Sequence, residues 1–348
     1  NTYYMTYGER AIEITINGNT HYTFGCPSTD CWDGSNIGNI SVDIELKAGR
    51  NTFVIGNPTD NAPNLDKFEL LYICKSEAEE PIIASAEAAS PNGALNVSLE
   101  CDASGNVTYS ITKDKTPLIT RSRLGFEGRS IFGKGLGKYS ITEIHDPYDL
   151  LHGKTSHSDN HYIQLQSELL GTTENENLTV EFRIYDNGVA FRYMMPSGNL
   201  KEFSGELTEF NFAEFKQALA LEYSYDYTWY YDLRSWNEMN NARGYNEPVL
   251  VQRNSDDTYI LLTEAAHYGE TAGNAIIKGD KQGQLRLIAM DANGFNPTNT
   301  ITYPFQTPWR TLIIGDIKSI VESTLITDLN PASQMTDTDW IRPGRVAW

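Results

Sequence analysis

Several features that would point to common function classes are missing from this sequence of 348 residues. No run of about 18 apolar residues occurs, so we expect no membrane-spanning helix. Basic residues are few, with 27 Lys and Arg against 46 Asp and Glu, which gives a formal net charge of −19. This surplus of negative charge would repel nucleic acid, so we expect no nucleic-acid partner. Glycine-rich phosphate loops, nucleophile elbows and helical zinc motifs are also missing.

Cysteine is scarce as well. The four cysteines are Cys26, Cys31, Cys74 and Cys101, which fit neither a zinc pattern nor a scaffold dense in disulfides. Cys26 and Cys31 are close enough in sequence to form a disulfide across a loop if the compartment is oxidising. A bridge and two separate thiols are equally compatible with this spacing.

Aromatic residues and glycine are abundant, with 20 Tyr, 13 Phe and 27 Gly, and this composition favours strands and turns over helices. Apolar residues alternate with polar ones at Ile12, Ile14 and Ile16, and Asn17-Gly18 follows as a hairpin signal. The clearest hairpin runs from Leu178 to Tyr193, with Asn187-Gly188 predicted to supply positive φ angles in its turn. The sequence therefore predicts an all-β protein.

Two segments interrupt this pattern. Residues 76–89 are acidic and rich in small side chains, which predicts a linker between two domains. Near the C-terminus, Ile317, Ile320 and Val321 have helical spacing and predict one short helix, followed by an extended run from Leu325 to Pro331.

The segment before the predicted linker resembles the C-terminal part of carbohydrate-binding modules of families 6 and 35. The resemblance rests on the order of Arg10, Asn17-Gly18, Trp32-Asp33, residues 46–52 and Leu65-Asp66. It implies a partial jelly-roll β-sandwich over residues 1–75. Cys31 stands where those modules usually have glycine.

A sugar site is predicted in this first module. Trp32 offers a ring for stacking on sugar and Asp33 a carboxylate for sugar hydroxyls, and both lie on one loop. Asn57 and Asn61 follow on a second loop and could add amide hydrogen bonds. The resemblance also implies a structural calcium near Asp66, and an ordinary surface aspartate is the equal alternative.

The rest of the chain resembles the N-terminal domain of glycoside hydrolase family 97. The motifs are residues 90–93, 182–193, 264–266, 307–310 and 343–348, in the family's order. The resemblance implies a large antiparallel β-super-sandwich over residues 90–335 and, at 336–348, the start of a (β/α)8 catalytic barrel that is not part of this sequence. In that family the catalytic residues lie on the barrel, so we expect no catalytic residue in this chain.

In the same family, the sandwich domain supplies one glutamate ligand to a calcium ion. The region that contains this glutamate corresponds to about residues 218–231 of this chain. An ungapped match places Trp229 there, and Glu222 or Asp226 corresponds only if the alignment shifts. Calcium needs six to eight oxygen ligands, so we expect it in the intact enzyme and at most weakly in this chain. The aromatic stretch Tyr223–Tyr231 favours core or interdomain packing over a glycan platform.

The resemblance implies the non-catalytic part of a secreted or periplasmic α-glucosidase or α-galactosidase. Its partners would be an oligosaccharide or polysaccharide and the enzyme's own catalytic barrel. The alternative is a stand-alone glycan-binding or cell-surface structural protein built from two β-sandwiches.

Overall fold

The computed structural model describes residues 2–18, 20–32, 35–40, 50–57, 59–68, 80–126, 135–150, 153–171, 177–198, 201–203, 205–224, 229–240, 244–268, 273–291, 294–295, 299–342 and 344. The chain divides into two compact units, Asn1–Glu79 and Glu80–Trp348. Both units are built from β-strands, as the sequence predicts. Among the described residues, neither helix has the length or the apolar character to cross a membrane.

The first unit contains six described strands in two antiparallel sheets. The strands are β1 (Thr2–Met5), β2 (Arg10–Ile16), β3 (Thr20–Cys26), β4 (Gly38–Ile40), β5 (Phe53–Gly56) and β6 (Asn64–Phe68). One sheet has the order β4-β1-β6 and the other β3-β2-β5. Tyr4, Ile12 and Cys26 form a small core that joins them. The predicted turn is confirmed, because Asn17 and Gly18 have φ angles of 53° and 76°.

The described part of the second unit contains strands β7 to β28, two short α-helices and one turn of 3-10 helix at Trp236–Glu238. The strands are β7 (Ile82–Ala89), β8 (Leu95–Asp102), β9 (Val107–Lys113), β10 (Thr116–Arg123), β11 (Leu136–His145), β12 (Tyr148–Asp149), β13 (His157–Ser158), β14 (His161–Leu169), β15 (Leu178–Tyr185), β16 (Gly188–Met195), β17 (Glu202–Phe203), β18 (Glu209–Phe212), β19 (Gln217–Glu222), β20 (Asp232–Arg234), β21 (Tyr245–Gln252), β22 (Tyr259–Ala265), β23 (Gly273–Lys278), β24 (Gln284–Asp291), β25 (Gly294–Phe295), β26 (Asn299–Thr300), β27 (Phe305–Gln306) and β28 (Trp309–Gly315). The helices are α1 (Ile317–Glu322) and α2 (Leu325–Asp328).

Antiparallel pairing arranges these strands in two layers. One layer runs β7-β8-β9-β10-β18-β24-β23. The other runs β11-β14-β15-β16-β28-β22-β21-β19-β20. The two series meet where Tyr245 of β21 pairs with Ile276 of β23. This is the large antiparallel sandwich that the sequence predicts.

Aromatic side chains fill the space between the two layers. The Tyr109 ring of β9 lies 5.8 Å from Phe182 and 5.1 Å from Phe191, measured between ring centroids. The Tyr109 hydroxyl donates to the backbone oxygen of Glu209 at 2.9 Å, so the buried phenol keeps a hydrogen bond. Each such fully buried ring contributes on the order of 2 kcal/mol of hydrophobic stabilisation.

The hairpin β15–β16 is confirmed, but its glycine has a different role from the predicted one. The turn consists of Asp186 and Asn187, and Gly188 pairs with Tyr185 as the first residue of β16. Neither Asn187 nor Gly188 has a positive φ. A Cβ on Gly188 would lie 2.5 Å from the backbone oxygen of Leu312, so this position needs glycine because β28 approaches closely.

Four further expectations concern the linker and the C-terminal segments. Residues 82–89 are not part of a linker, because β7 pairs with β8 along its length. Residues 325–328 are helical, not extended, because Leu325 and Leu329 lie four residues apart and are buried together in a second core. Helix α1 is confirmed, with the Asp316 carboxylate accepting a hydrogen bond from the Ser319 amide at 2.7 Å. Residues 345–348, the predicted start of a further strand, lie outside the described residues.

Candidate functional site

Four strands of the second layer end or begin at the same edge of the sandwich. Strand β19 ends at Glu222, which pairs with Tyr245 at the start of β21. Strand β22 ends at Ala265, which pairs with Trp309 at the start of β28. Charged and aromatic side chains therefore collect at this edge, which we call the polar end.

A buried arginine organises the polar end. The Arg310 side chain is 2% exposed and forms ion pairs with Glu206 and with Glu264, the latter at 2.6 Å. It also donates to the backbone oxygen of Pro308 at 2.8 Å. Burial alone would lower the pKa of Arg310, but the charges of Glu206 and Glu264 raise it, so the guanidinium stays charged.

A third carboxyl group lies beside this pair of ion pairs. Glu247 is half-buried, but its Oε1 atom is shielded from solvent and has no hydrogen-bond partner among the described residues. Burial and the neighbouring charge of Glu264 raise the pKa of Glu247 well above its usual value. Arg310 thus pairs with two carboxyl groups, and its charge acts on Glu247 without a direct bond.

Arg310, Glu206 and Glu264, which we call the Arg310 cluster, are closed to solvent. The cluster is therefore a structural element and not a substrate site. The Glu206 and Glu264 side chains are only 4% and 9% exposed. Glu206 also accepts a hydrogen bond from the Thr208 hydroxyl at 2.8 Å, and that hydroxyl lies 2.9 Å from the Tyr193 hydroxyl. The network ties β16, β22 and β28 together where they meet the loops of the polar end.

Glu222, the candidate calcium ligand, has another partner. Its Oε1 atom lies 3.3 Å from Nη1 of Arg234, and Arg234 also contacts Asp232 at 3.2 Å. Asp226 lies outside the described residues. Within the described part of the chain, no group of three His, Cys, Asp or Glu side chains has a geometry that could hold a metal ion. The described residues therefore do not fit a calcium site by themselves.

The aromatic stretch after β19 begins at the half-buried Tyr223 and ends with three exposed rings. Trp229, Tyr230 and Tyr231 are 64%, 88% and 37% exposed, and Leu233 of β20 is 63% exposed. The rings of Trp229, Tyr230 and Tyr231 therefore do not pack inside the sandwich core, which favours the interdomain or glycan interpretation for these three. Tyr225 and Tyr227 lie outside the described residues. We call Trp229, Tyr230, Tyr231 and Leu233 the aromatic face.

In the first unit, an arginine contacts both Trp32 and the loop that carries Asn61. Trp32 is 42% exposed, and the guanidinium carbon of Arg10 lies 5.0 Å from its ring centroid. Arg10 also donates to the backbone oxygen of Ala62 at 3.0 Å, next to the exposed Asn61. The structure thus connects Trp32 to the second loop through Arg10, a residue that the sequence analysis did not single out for this role.

The other predicted residues of the first unit are placed less favourably. The Asn57 amide donates to Ala11 and accepts from Thr59 and Asp60, so it holds its own loop together. Asp33 and the side chain of Asp66 lie outside the described residues. Cys26 and Cys31, the candidate disulfide pair, are both free cysteines in the structure, and Cys26 is buried. The Cys31 sulfur instead contacts Asn36, with its Sγ 2.9 Å from the backbone oxygen.

Comparison with known proteins identifies the family. The sequence profile described as "Glycosyl-hydrolase 97 N-terminal" matches residues 88–331. The chain belongs to this family. The family 97 match covers β8 to β28 and both helices, which include the whole Arg310 cluster and the aromatic face.

Individual relatives agree with this assignment. The chain is 30% identical over 168 residues, 48% of this chain and 25% of the relative, to a probable retaining alpha-galactosidase of Streptomyces bingchenggensis. It is 23% identical over 300 residues, 75% of this chain and 43% of the relative, to a retaining alpha-galactosidase of Bacteroides thetaiotaomicron. The family 97 chain thus spans less than half the length of either relative.

A solved structure shares the fold. It is a glycoside hydrolase family 97 enzyme from a Pseudoalteromonas species in complex with panose, with a TM-score of 0.65 and 22% identity. The match covers 74% of this chain and 40% of that one. The large sandwich of this family 97 chain is therefore a fold seen in a larger family 97 enzyme.

Proposed function

We propose that this chain is the non-catalytic N-terminal part of a family 97 α-glycosidase, in which the sandwich supports a catalytic (β/α)8 barrel. The relatives' names favour α-galactosides as substrates over α-glucosides. The acid and the nucleophile would lie on the barrel, about 5 Å apart in a retaining enzyme. The enzyme would be periplasmic or secreted, because its polysaccharide substrates are found outside the cytoplasm.

The observation that carries this proposal is the aromatic face. Four large side chains lie exposed within the five residues 229–233, at and before β20, beside the ion pair of Glu222 and Arg234. A cluster of exposed apolar side chains rimmed by polar groups is typical of a protein interface. We propose that the catalytic barrel covers this face in the intact enzyme.

Binding of a separately produced catalytic barrel to this chain tests the proposal. We expect Tyr230→Lys combined with Leu233→Lys to weaken the complex at least tenfold in isothermal calorimetry, because two charges would be buried. Val321→Lys on α1 is the matched control, since Val321 is 64% exposed outside the aromatic face. Equal loss in both variants, or no binding to the unchanged chain, would reject the proposed face.

The parent gene gives a second test. The proposal predicts a reading frame that continues past Trp348 into alternating strands and helices. A stop codon directly after Trp348 would favour the alternative of a stand-alone glycan-binding or cell-surface protein.

Calcium belongs to the same proposal. We propose that the ion binds in the intact enzyme, with most of its oxygen ligands on the barrel and Glu222 as the candidate from this chain. Arg234 competes for that carboxylate at 3.3 Å.

A second function is favoured by Trp32. We propose that the first unit binds oligosaccharide or polysaccharide on the ring face of Trp32 that Arg10 does not cover, with Asn61 and Asp33 as further candidates. The 42% exposure of a tryptophan held by a cation–π contact supports this, because a pre-ordered ring loses little entropy on stacking. Trp32→Ala should abolish retention on polysaccharide affinity gels. Exposed Val54→Lys is the control in the same unit. Unchanged retention of Trp32→Ala would contradict this second proposal.

A further inference from the structure

Two histidines face each other where β11 and β14 meet the segment that connects them. His145 is the last residue of β11 and His161 the first residue of β14, and the two are directly opposite in the antiparallel pairing. Their ring centroids lie 4.6 Å apart, with an angle of 34° between the ring planes. Directly opposite residues have Cβ atoms about 5 Å apart, so the strand pairing itself brings the two imidazoles together.

Each imidazole is held by a carboxylate through the same ring atom. Nε2 of His145 lies 2.9 Å from Oδ1 of Asp159, and Nε2 of His161 lies 2.8 Å from Oε1 of Glu143. The hydrogen bond from His145 lowers the pKa of Asp159. Because an ionised carboxylate can only accept, each Nε2 carries a proton, and in the neutral ring Nδ1 keeps its lone pair. Within the described residues, neither Nδ1 atom takes part in a hydrogen bond.

The backbone before His161 fixes the position of Asp159. Asn160 has a φ angle of 34°, in the left-handed region that asparagine tolerates better than most residues. Its side-chain oxygen accepts a hydrogen bond from the Tyr185 hydroxyl at 3.4 Å. Its backbone oxygen accepts one from the Asp146 amide at 3.2 Å. These contacts hold the turn from which the Asp159 carboxylate reaches the ring on the neighbouring strand.

We propose that His145 and His161 bind one zinc ion through their Nδ1 atoms, with water completing a tetrahedral site. Zn–N bonds are about 2.0–2.1 Å long, so the two nitrogen atoms must lie within about 4 Å of each other. Rings with centroids 4.6 Å apart can meet this condition. The site has only two protein ligands, which agrees with the lack of a three-ligand group in the parts of the chain that the structure describes.

The carboxylates of Asp159 and Glu143 are positioning residues in this site. A zinc-bound histidine usually donates its other ring N–H to a carboxylate, which fixes the tautomer and makes the bound nitrogen more basic. Both histidines already have this arrangement. Imidazole nitrogen favours zinc over calcium, which prefers oxygen ligands. The proposal is therefore separate from the calcium proposal, and it uses neither the aromatic face nor the first unit.

A bound ion would join the ends of β11 and β14 at the base of the segment that carries β12 and β13. That segment is attached to α2, because the Ser158 hydroxyl donates to the Asp328 carboxylate at 2.6 Å. An ion that binds the folded chain and not the unfolded chain raises stability with its concentration. We therefore expect zinc to raise the Tm of the second unit.

Zinc titration of the whole chain by isothermal calorimetry tests the proposal. His145→Gln and His161→Gln should each weaken zinc binding by at least about tenfold, because one ligand of two is lost. His157→Gln is the matched control. His157 is also exposed and paired with a carboxylate, but its Nδ1 lies 2.8 Å from Oδ1 of Asp149. Equal effects of the three substitutions, or no zinc binding to the unchanged chain, would overturn the proposal.

The nitrogen chemical shifts of the histidine rings show which atoms bind the ion. Zinc should move the Nδ1 resonances of His145 and His161, while both Nε2 atoms stay protonated. Asp159→Asn should weaken zinc binding about 10–100-fold. It should leave the Tm without zinc unchanged, since the Asp159 side chain is 74% exposed. Zinc-dependent shifts confined to other histidines, or full zinc affinity in Asp159→Asn, would contradict the proposed site.

Discussion

Removing the buried cation of the polar end is the sharpest test of how this sandwich is held together. Arg310→Met keeps most of the side-chain volume but leaves Glu206 and Glu264, at 4% and 9% exposure, without their counter-charge. Breaking a buried ion pair from one side typically costs about 3–5 kcal/mol. For a unit of this size each kcal/mol lowers Tm by about 2–4 °C, so we expect a fall of roughly 6–20 °C.

The first unit serves as an internal control in this measurement, because Arg310 lies in the second unit. Calorimetric unfolding should show the transition of residues 80–348 lowered and that of residues 1–79 unchanged. Arg253→Met is the matched control, because the Arg253 side chain is also buried, at 3%, but its partners Glu214 and Asp256 are 29% and 46% exposed. Those carboxylates can be solvated by water, so we expect a clearly smaller loss.

The pH dependence distinguishes lost charge pairing from lost packing. The charge of Arg310 opposes the rise in the pKa of Glu247, so its removal should raise that pKa further above the unfolded value. A raised carboxyl pKa makes stability fall as pH rises above the unfolded value of about 4.3. The difference in the free energy of unfolding between Arg310→Met and the unchanged protein should therefore be smaller at pH 5 than at pH 8. A gap that does not change with pH would refute the electrostatic reasoning.

Three other predictions follow from single positions. Glu247→Gln removes a carboxyl group whose pKa in the folded state is raised by burial. As pH rises from about 4.3, the unchanged protein should therefore lose stability relative to this variant, measured as the free energy of unfolding in urea. Identical pH profiles of the two proteins would contradict this prediction. Gly188→Ala places a Cβ 2.5 Å from the backbone oxygen of Leu312. It should lower the free energy of unfolding by about 1–3 kcal/mol in the same assay. Unchanged stability would show that β28 can shift to make room. Calcium titration of this chain by calorimetry should give no binding that depends on Glu222, and equal affinity in the chain and the intact enzyme would contradict a site shared with the barrel.

The elements predicted correctly are those whose signal is local. Alternation at Ile12, Ile14 and Ile16 identifies β2, because a strand buried on one face needs period two. The hairpin of β15 and β16 was predicted from the same pattern. The turn at Asn17 was predicted because the residue types that adopt positive φ are few.

The elements that the sequence did not predict depend on distant residues. Arg310 meets Glu206 and Glu264, which lie 104 and 46 positions away in the chain, and no spacing rule connects them. The composition of residues 82–89 suggested a linker, but small side chains also suit a strand packed against a second layer. Residues 325–328 form a helix because tertiary burial of Leu325 overrides a weak local pattern.

Hydrolysis of aryl α-galactosides, measured with this chain and with a separately produced catalytic barrel, tests the central claim most directly. The account predicts no turnover by the chain alone, and higher activity or thermal stability of the barrel once the chain is added. Turnover by the chain alone, or a barrel that is neither bound nor affected by it, would contradict the claim that this sandwich supports a catalytic domain.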